Sequence, residues 1–378
     1  MKIELTAKQL SEQAGFRDFV EAEVVPRADE YDRREHFPPD LIREVARRGY
    51  LGALVPGEYG GGGMSMLTFG LLNEELGRGC SSLRSLLTVH SMVAVTVARW
   101  GTRRQKERWA AALASGEVVG AFALTEANVG SDARSVETSA EPDGDSYVLN
   151  GGKRWITFGQ VADLFLVFAQ SAGKPVAFLV ERQSPGLSAE PTTNLLGTRA
   201  SMAAELTFRD CRVPAENVVG KPGFGFTHVA SAALDCGRYS VAWGCVGLAR
   251  ACVEASVGYA SRRRQFGSRL IEHQLIQQKV SDMITGLKAA RLLCLHAGSL
   301  RDAGDPAAIT ETSVAKYFAS VAASRAAADA VQIHGANGCG GEYPVGRYFR
   351  DAKVMEIIEG STQMQQINIA RHCHQEYL

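Results

Sequence analysis

The chain has 378 residues, 46% hydrophobic and 22% charged, which suits two or three globular domains or one large composite. Its 41 Lys and Arg balance its 41 Asp and Glu, so it offers no basic field for nucleic acid or an anionic membrane. Eight cysteines are scattered without a CxxC pair, which argues for reduced, buried thiols in a cytoplasmic protein rather than disulfides or zinc.

Residues 1–117 read as an N-terminal α-helical domain. Met1-Lys2-Ile3-Glu4-Leu5 is followed by Lys8, Glu12 and Arg17, so no signal-peptide core is expected. No run reaches the roughly 18–20 apolar residues of a membrane span. Phe16, Phe19, Val20, Val24 and Val25 recur at helical spacing, as do Leu41, Ile42, Val45 and Ala46. The Pro56–Gly63 glycine run is a loop by composition and lacks the Lys-Ser/Thr of a phosphate-binding P-loop. A helical pair over 66–114 is broken at Gly77-Arg78-Gly79-Cys80.

Near Val118 the texture changes to short strands: 120–125, 147–149, 164–168, 177–180 and 204–208. Strands at this spacing without helices between them predict a middle β-sandwich or barrel over 118–226. From 227 to 378 the pattern is helical again, over 227–264, 272–302, 306–334 and 352–373, which predicts a four-helix bundle. The fold class is therefore α+β: helices, a β domain, then a bundle.

Several stretches could carry chemistry. Glu359 ends an apolar helical approach and is followed by Gly360, Ser361 and Thr362; it has no basic residue at i+3 or i+4. It reads as a general base beside a substrate, or as a solvated Glu at a helix break. Leu124-Thr125-Glu126-Ala127-Asn128-Val129-Gly130-Ser131-Asp132 is a strand end and turn, suited to a phosphate or polar ring edge, or simply a turn. Trp155 is either core or the cover of a flat ring whose edge Thr157 meets. Asp235 and Arg238 stand three apart and could form a helix-face ion pair. Arg262-Arg263-Arg264 suits a helix C-terminus or a pyrophosphate. His334, His372 and His374 lack a third metal ligand nearby in sequence and read as structural, so no metal is expected.

Taken in order, these stretches resemble the flavin-dependent acyl-CoA dehydrogenases over nearly the whole chain. The matching runs are Phe122–Ser131, Trp155-Ile156-Thr157, Leu234-Asp235-x-Gly237-Arg238, Arg263-x-Gln265-Phe266-Gly267, His273-Gln274, Gln332–Ala336, Tyr348-x-Arg350-Asp351-Ala352 and Glu359-Gly360. The resemblance implies FAD as cofactor. Phe122, Leu124, Thr125, Gly130 and Ser131 would line the flavin and its phosphates, with Trp155, Ile156 and Thr157 against the ring. Arg263, Gln265, Phe266 and Gln274, with Gln332, Ile333, Gly335 and Ala336, would reach the FAD of a neighbouring subunit in a dimer or tetramer. Ser361 and Gln363 would complete that site; the family usually has Thr then Ser where this chain has Ser361 then Thr362, so the hydroxyl survives. Asp235, Arg238 and Ser131 match positions near the thioester's pantetheine arm, and Gly360 adjoins the substrate. Glu359 matches the family's catalytic base. Members with the base on the earlier helix carry it where this chain has Gly237, so Glu359 is the remaining candidate.

The acyl pocket matches Cys80–Thr88, and Arg84, Ser85 and Thr88 are the expected contacts. Glutaryl-type members have Arg-Ser here to receive a distal carboxylate; alternatively Arg84 turns outward or pairs with Glu74 or Glu75. A narrower resemblance, through Cys80–Ser85, Ser240–Gly247 and Ala352–Ser361, is to a branch from polyketide and nonribosomal peptide clusters. Its members act on short oxygenated acyl groups held on an acyl carrier protein, in hydroxymalonyl- or methoxymalonyl-type extender-unit biosynthesis. The expected partners are an acyl thioester on a carrier protein or CoA, and an electron acceptor.

Overall fold

The computed structural model describes residues 4–377, and side chains as far as His372; the first three residues and the side chains of Cys373 and His374 lie outside the described part. Six helices come first: α1 (Ala7–Phe19), α2 (Ala28–Arg34), α3 (Pro39–Arg47), α4 (Met66–Gly79), α5 (Ser81–Trp100) and α6 (Arg103–Ser115). Thr6 and Thr102 open α1 and α6 with capping boxes closed by Gln9 and Gln105. The α4–α5 break falls at Cys80, whose backbone is extended. Helix α5 is buried along most of its length, because it is wedged between the sheet and the bundle.

One mixed eight-stranded sheet follows: β1 (Gly120–Ala123), β2 (Ser139–Asp143), β3 (Ser146–Ile156), β4 (Leu164–Ser171), β5 (Lys174–Glu181), β6 (Leu187–Pro191), β7 (Ala204–Pro214) and β8 (Val218–Val219). Most neighbouring strands pair antiparallel, but β2 meets β4 in parallel at Ser139 and Gln170, and β1 runs parallel to β4, with Gly120 opposite Leu164. Chain arriving from α6 must enter beside β4, and the long excursion between the two strands lets it do so. The strands β2 and β6 escaped the sequence reading because they are short and largely polar. Strand β3 loses register with β7 between Lys153 and Ile156, and Arg154-Trp155 sit in that irregularity.

The rest is helical: α7 (Ser231–Ala260), a small hairpin of β9 (Arg264–Gln265) and β10 (Ser268–Arg269), then α8 (Gln274–Asp302), α9 (Ala308–His334), α10 (Ala336–Cys339), α11 (Val345–Met355) and α12 (Thr362–Tyr377). With its leading π turn, the Gly225–Ala260 helix is long and apolar enough to cross a membrane, yet 67% of its most apolar window is packed inside the protein. Its small residues explain the packing. A Cβ at Gly244 would meet the Arg84 side chain at 2.8 Å, and one at Gly247 would strike the α4 backbone. The single helix expected over 352–373 is in fact two. Glu359 (φ 55°) and Gly360 (φ 87°) are consecutive left-handed residues, which no α-helix accommodates.

Candidate active site

The α11–α12 break is held from both sides. Lys316 Nζ donates to the Gly360 carbonyl at 2.8 Å. Gln365 Nε2 donates to the same carbonyl at 3.0 Å and to that of Glu359 at 3.2 Å. A non-glycine residue in the left-handed region costs about 1–2 kcal/mol, so these bonds fix a strained geometry. Their effect is to aim the Glu359 carboxylate inward at α7, where a Cβ on Gly237 would collide with it. Met92 of α5 closes the same spot: its Sδ lies 3.0 Å from that Cβ position. The Glu359 Oε2 atom is shut off from solvent and has no hydrogen-bond partner. Burial raises its pKa to about 7, against the opposing pull of Arg238, Arg84 and Lys316. The solvated-Glu alternative is thereby set aside.

Those three cations make the surroundings positive. Burial lowers the Lys316 pKa to about 8. Arg238 Nε is buried without a partner. Arg238 does not pair with Asp235, because Asp235 is taken by Arg301 at 2.6 Å. Arg84 is 1% exposed and has not turned outward. Glu74 and Glu75 are engaged by Arg291, Arg250 and Arg17 instead. Arg84 Nη1 donates to Thr88 Oγ1 at 2.8 Å and Nη2 to Met355 Sδ at 3.0 Å; Nε has no partner. Thr88 Oγ1 in turn lies 2.6 Å from Ser240 Oγ, which donates to Asn73 Oδ1 at 2.5 Å. The surroundings of Arg84 are thus polar and cationic, with no carboxylate paired to it among the described residues. Ser85 is buried, and its hydroxyl is spent on the Ser81 carbonyl at 3.0 Å.

On the sheet, Trp155 is held at φ 62° and stands 48% exposed, its ring covered on one side by the Arg154 guanidinium at 4.7 Å. It is not core. The backbone N–H of Arg154 donates to the Thr125 carbonyl at 2.8 Å, which brings the Trp155 and Thr125 runs together. Beneath them Lys153 Nζ, fully buried, bonds Glu126 Oε1 at 2.5 Å, and Glu126 also receives the Thr138 N–H and hydroxyl. A bulky aromatic in a backbone conformation it disfavours persists only where its surroundings impose it. An exposed indole beside the half-buried Thr125 and Thr157, with the exposed Gly130-Ser131 turn beyond, fits a planar ring carrying phosphates. Phe122 packs on Phe168 at 5.2 Å. Leu124, Ile156 and Ile333 are buried in the core, so only their backbones are free to face a ligand.

The remaining expected residues lie elsewhere. Arg263, Gln265, Phe266 and Gln274 are exposed on and beside the β9–β10 hairpin, and Phe266 is 97% exposed. Tyr259 stacks on His334 at 4.2 Å, which places that hairpin at the same bundle end as Gln332, Gly335 and Ala336. Tyr259 is 22 residues beyond Gly237 on α7, about 33 Å at 1.5 Å per residue, so this group and Glu359 belong to different sites within one chain. His334 is structural, its Nδ1 2.7 Å from the Ala330 carbonyl. Ser361 caps α12 towards Met364, and Gln363 is exposed. No group of three metal-ligating side chains occurs among the described residues.

Lys316, Gln365, Ser240, Asn73, Met92 and the Glu126–Lys153 pair were not foreseen. Apart from Glu126, which sits in the loop after β1, each lies on a helix or strand whose pattern reads as core, and only the tertiary fold brings it to the site.

Three family models match the chain: the acyl-CoA dehydrogenase N-terminal domain over residues 6–117, the middle domain over 121–211 and the C-terminal domain over 223–374. The short-chain specific acyl-CoA dehydrogenase of Rattus norvegicus mitochondria is 39% identical over 96% of this chain and 89% of its own. A glutaryl-CoA dehydrogenase in complex with glutaryl-CoA superposes with a TM-score of 0.94 at 36% identity, covering 98% of this chain and 96% of that one. FkbI, for biosynthesis of the methoxymalonyl extender unit of the polyketide Fk520, superposes with a TM-score of 0.87 at 36% identity, over 96% and 99%. Identity at this level along almost the whole length, on three matched domains in the same order, means that the chain belongs to the acyl-CoA dehydrogenase family of FAD-dependent oxidoreductases acting on CH–CH bonds.

Proposed function

We propose that this dehydrogenase acts on a short acyl thioester bearing a distal oxygen function, a carboxylate above all, carried on an acyl carrier protein. One observation carries the reading: Arg84 is buried beside Thr88 and Met355 with no carboxylate paired to it among the described residues. A buried cation left unpaired costs several kcal/mol, and a bidentate carboxylate is the partner that best relieves it. A straight alkyl tail would bury against that charge and against Thr88. The likenesses to a glutaryl-CoA complex and to FkbI support a polar acyl group. The short-chain relative leaves catabolic acyl-CoA oxidation as the rival.

Glu359 is the base in this reading. Its Oε2 has no competing partner, so it can accept the α-proton of the thioester, and its pKa near 7 raises its basicity while leaving a substantial fraction ionised at neutral pH. Arg238 and Arg84 hold the carboxylate ionised. FAD, when bound, would supply the hydride acceptor, and Trp155, Thr125 and Thr157 would hold its ring. Arg263, Gln265 and the Gln332–Ala336 run would serve a second subunit's cofactor, since they lie too far from their own Glu359.

The test is turnover of matched thioesters: butyryl against an oxygenated or carboxylated acyl group of similar length, each on CoA and on a carrier protein. Preference for the polar acyl group on the carrier is expected. Equal or better use of butyryl-CoA would favour the catabolic rival.

A further inference from the structure

The helices α5 and α7 run antiparallel and face each other at three levels. Gly244 lies against Arg84, Gly237 against Met92 and His228 against Trp100, the last with ring centroids 5.6 Å apart. The first level is sealed, since Arg84 is 1% exposed. The second holds Glu359. The third opens to solvent about 12 Å beyond Met92, as a cleft of about 350 Å³ lined by Trp100, Gly220, Lys221, Phe224, His228 and Val229. A thioester whose α-carbon sits at Glu359 and whose acyl end points to Arg84 has its arm directed away from Arg84, toward this third level.

The rim is charged. Arg99 lies over the Trp100 ring at 5.2 Å and Arg134 over Phe226 at 5.2 Å. The Lys174 stem runs against the Gly223 turn, and Lys221 lines the opening. All four are exposed, and none forms an ion pair among the described residues. Neighbouring cations are neutralised: Arg103 by Glu107 and Arg104 by Glu216. On a chain with zero net charge, four unmatched cations round one apolar cleft are a local excess that calls for an anionic counterpart. The cleft's exposed Phe224, 43% open, adds an apolar contact to its lining.

We propose that this rim is the docking surface for an acidic carrier protein, whose prosthetic arm enters at the cleft beside Trp100 and His228 while its acidic face meets Arg99, Arg134, Lys174 and Lys221. The inference rests on the carrier-protein reading above and adds where the carrier sits. The test is steady-state kinetics of the holoenzyme and of an Arg99→Glu/Lys221→Glu double variant. One acyl group is offered on an acidic acyl carrier protein, on CoA and on pantetheine. Expected are a KM for the carrier thioester raised about tenfold or more in the variant, steep salt dependence in the wild type only, and unchanged use of acyl-pantetheine. An unchanged carrier KM, with wild-type preference for the carrier intact, would overturn the surface and leave the carrier reading standing. Wild-type use of acyl-CoA as good as of the carrier thioester would overturn the carrier reading itself. A loss confined to acyl-CoA would assign the cations to nucleotide phosphates and overturn the docking surface.

Discussion

Replacing Arg84 by Leu gives the most direct reading of substrate class. The guanidinium is buried, holds one hydroxyl and one thioether, and leaves Nε unpartnered. With a distal carboxylate in place it would gain a charge-assisted pair; with butyrate it gains nothing. Truncation should therefore cost the carboxylated substrate about 2–4 kcal/mol in kcat/KM, roughly 30- to 900-fold, since the substrate's charge is then stranded in a closed pocket. Butyryl thioester should be used as well as before or better. A second effect must be kept apart. Arg84 helps hold Glu359 ionised, so its loss raises the Glu359 pKa further and shifts the acid limb of the rate profile upward. The comparison belongs at pH 8.5 or above, with anaerobic flavin reduction as the assay. The ligand-free protein should also gain thermal stability, because an uncompensated buried charge is removed. Equal slowing of both substrates at high pH, with a lowered Tm, would show Arg84 to be a structural residue and would remove the case for a polar acyl group.

Glu359→Gln should keep flavin and fold but lose at least about a hundredfold in flavin reduction; near-normal reduction would put the base elsewhere. The same variant has a pH signature in stability. The folded pKa, about 7, lies above the ordinary 4.5, so Glu359 favours the folded state below pH 4.5 and that contribution is lost as pH rises through 7. Glu359→Gln should be the more stable protein at pH 8, by up to about 3 kcal/mol, and equal to wild type near pH 4.5; a constant difference across that range would contradict the burial argument. Gly237→Ala places a Cβ in the Glu359 carboxylate and should cost about a hundredfold in rate through misplacement, although alanine favours the helix; unimpaired turnover would mean the base sits elsewhere during reaction. Arg263→Ala should lower FAD occupancy and oligomer stability together, and a monomer with full flavin would refute its role across an interface.

The order of helices, strands and helices was legible because periodicity changes sharply near Val118 and again after Gly225. Glu359 was legible because a carboxylate without helical charge partners, followed by glycine, is unusual wherever it stands. The break between α11 and α12 was not, since apolar spacing continues through Ile357 and Ile358 and conceals two left-handed residues. Lys316 and Ser240 sit on helices rich in small residues and read as core; their partners are 44 residues or more away in sequence. Trp155 could not be placed from sequence because a register shift, not the strand pattern, turns it outward. The charged rim at Arg99, Arg134, Lys174 and Lys221 draws on four separate segments, so no window of sequence displays it.

The electrostatics of the site make sense only when its charges are counted together. Glu359 alone in this apolar setting would stay protonated well above neutrality, useless as a base. Three cations around it would, if solvated, drive the pKa below its ordinary value and make the carboxylate a weak base. Burial and the cations oppose each other, and the balance falls near 7. The arrangement carries one anion against three cations, an excess that a protein without a ligand has no reason to bury. Lys316 and Arg238 have local duties, at the Gly360 carbonyl and beside Glu359. Arg84 shares in holding Glu359 ionised but has no ion-pair partner of its own among the described residues, which makes it the charge that an incoming acyl group must answer.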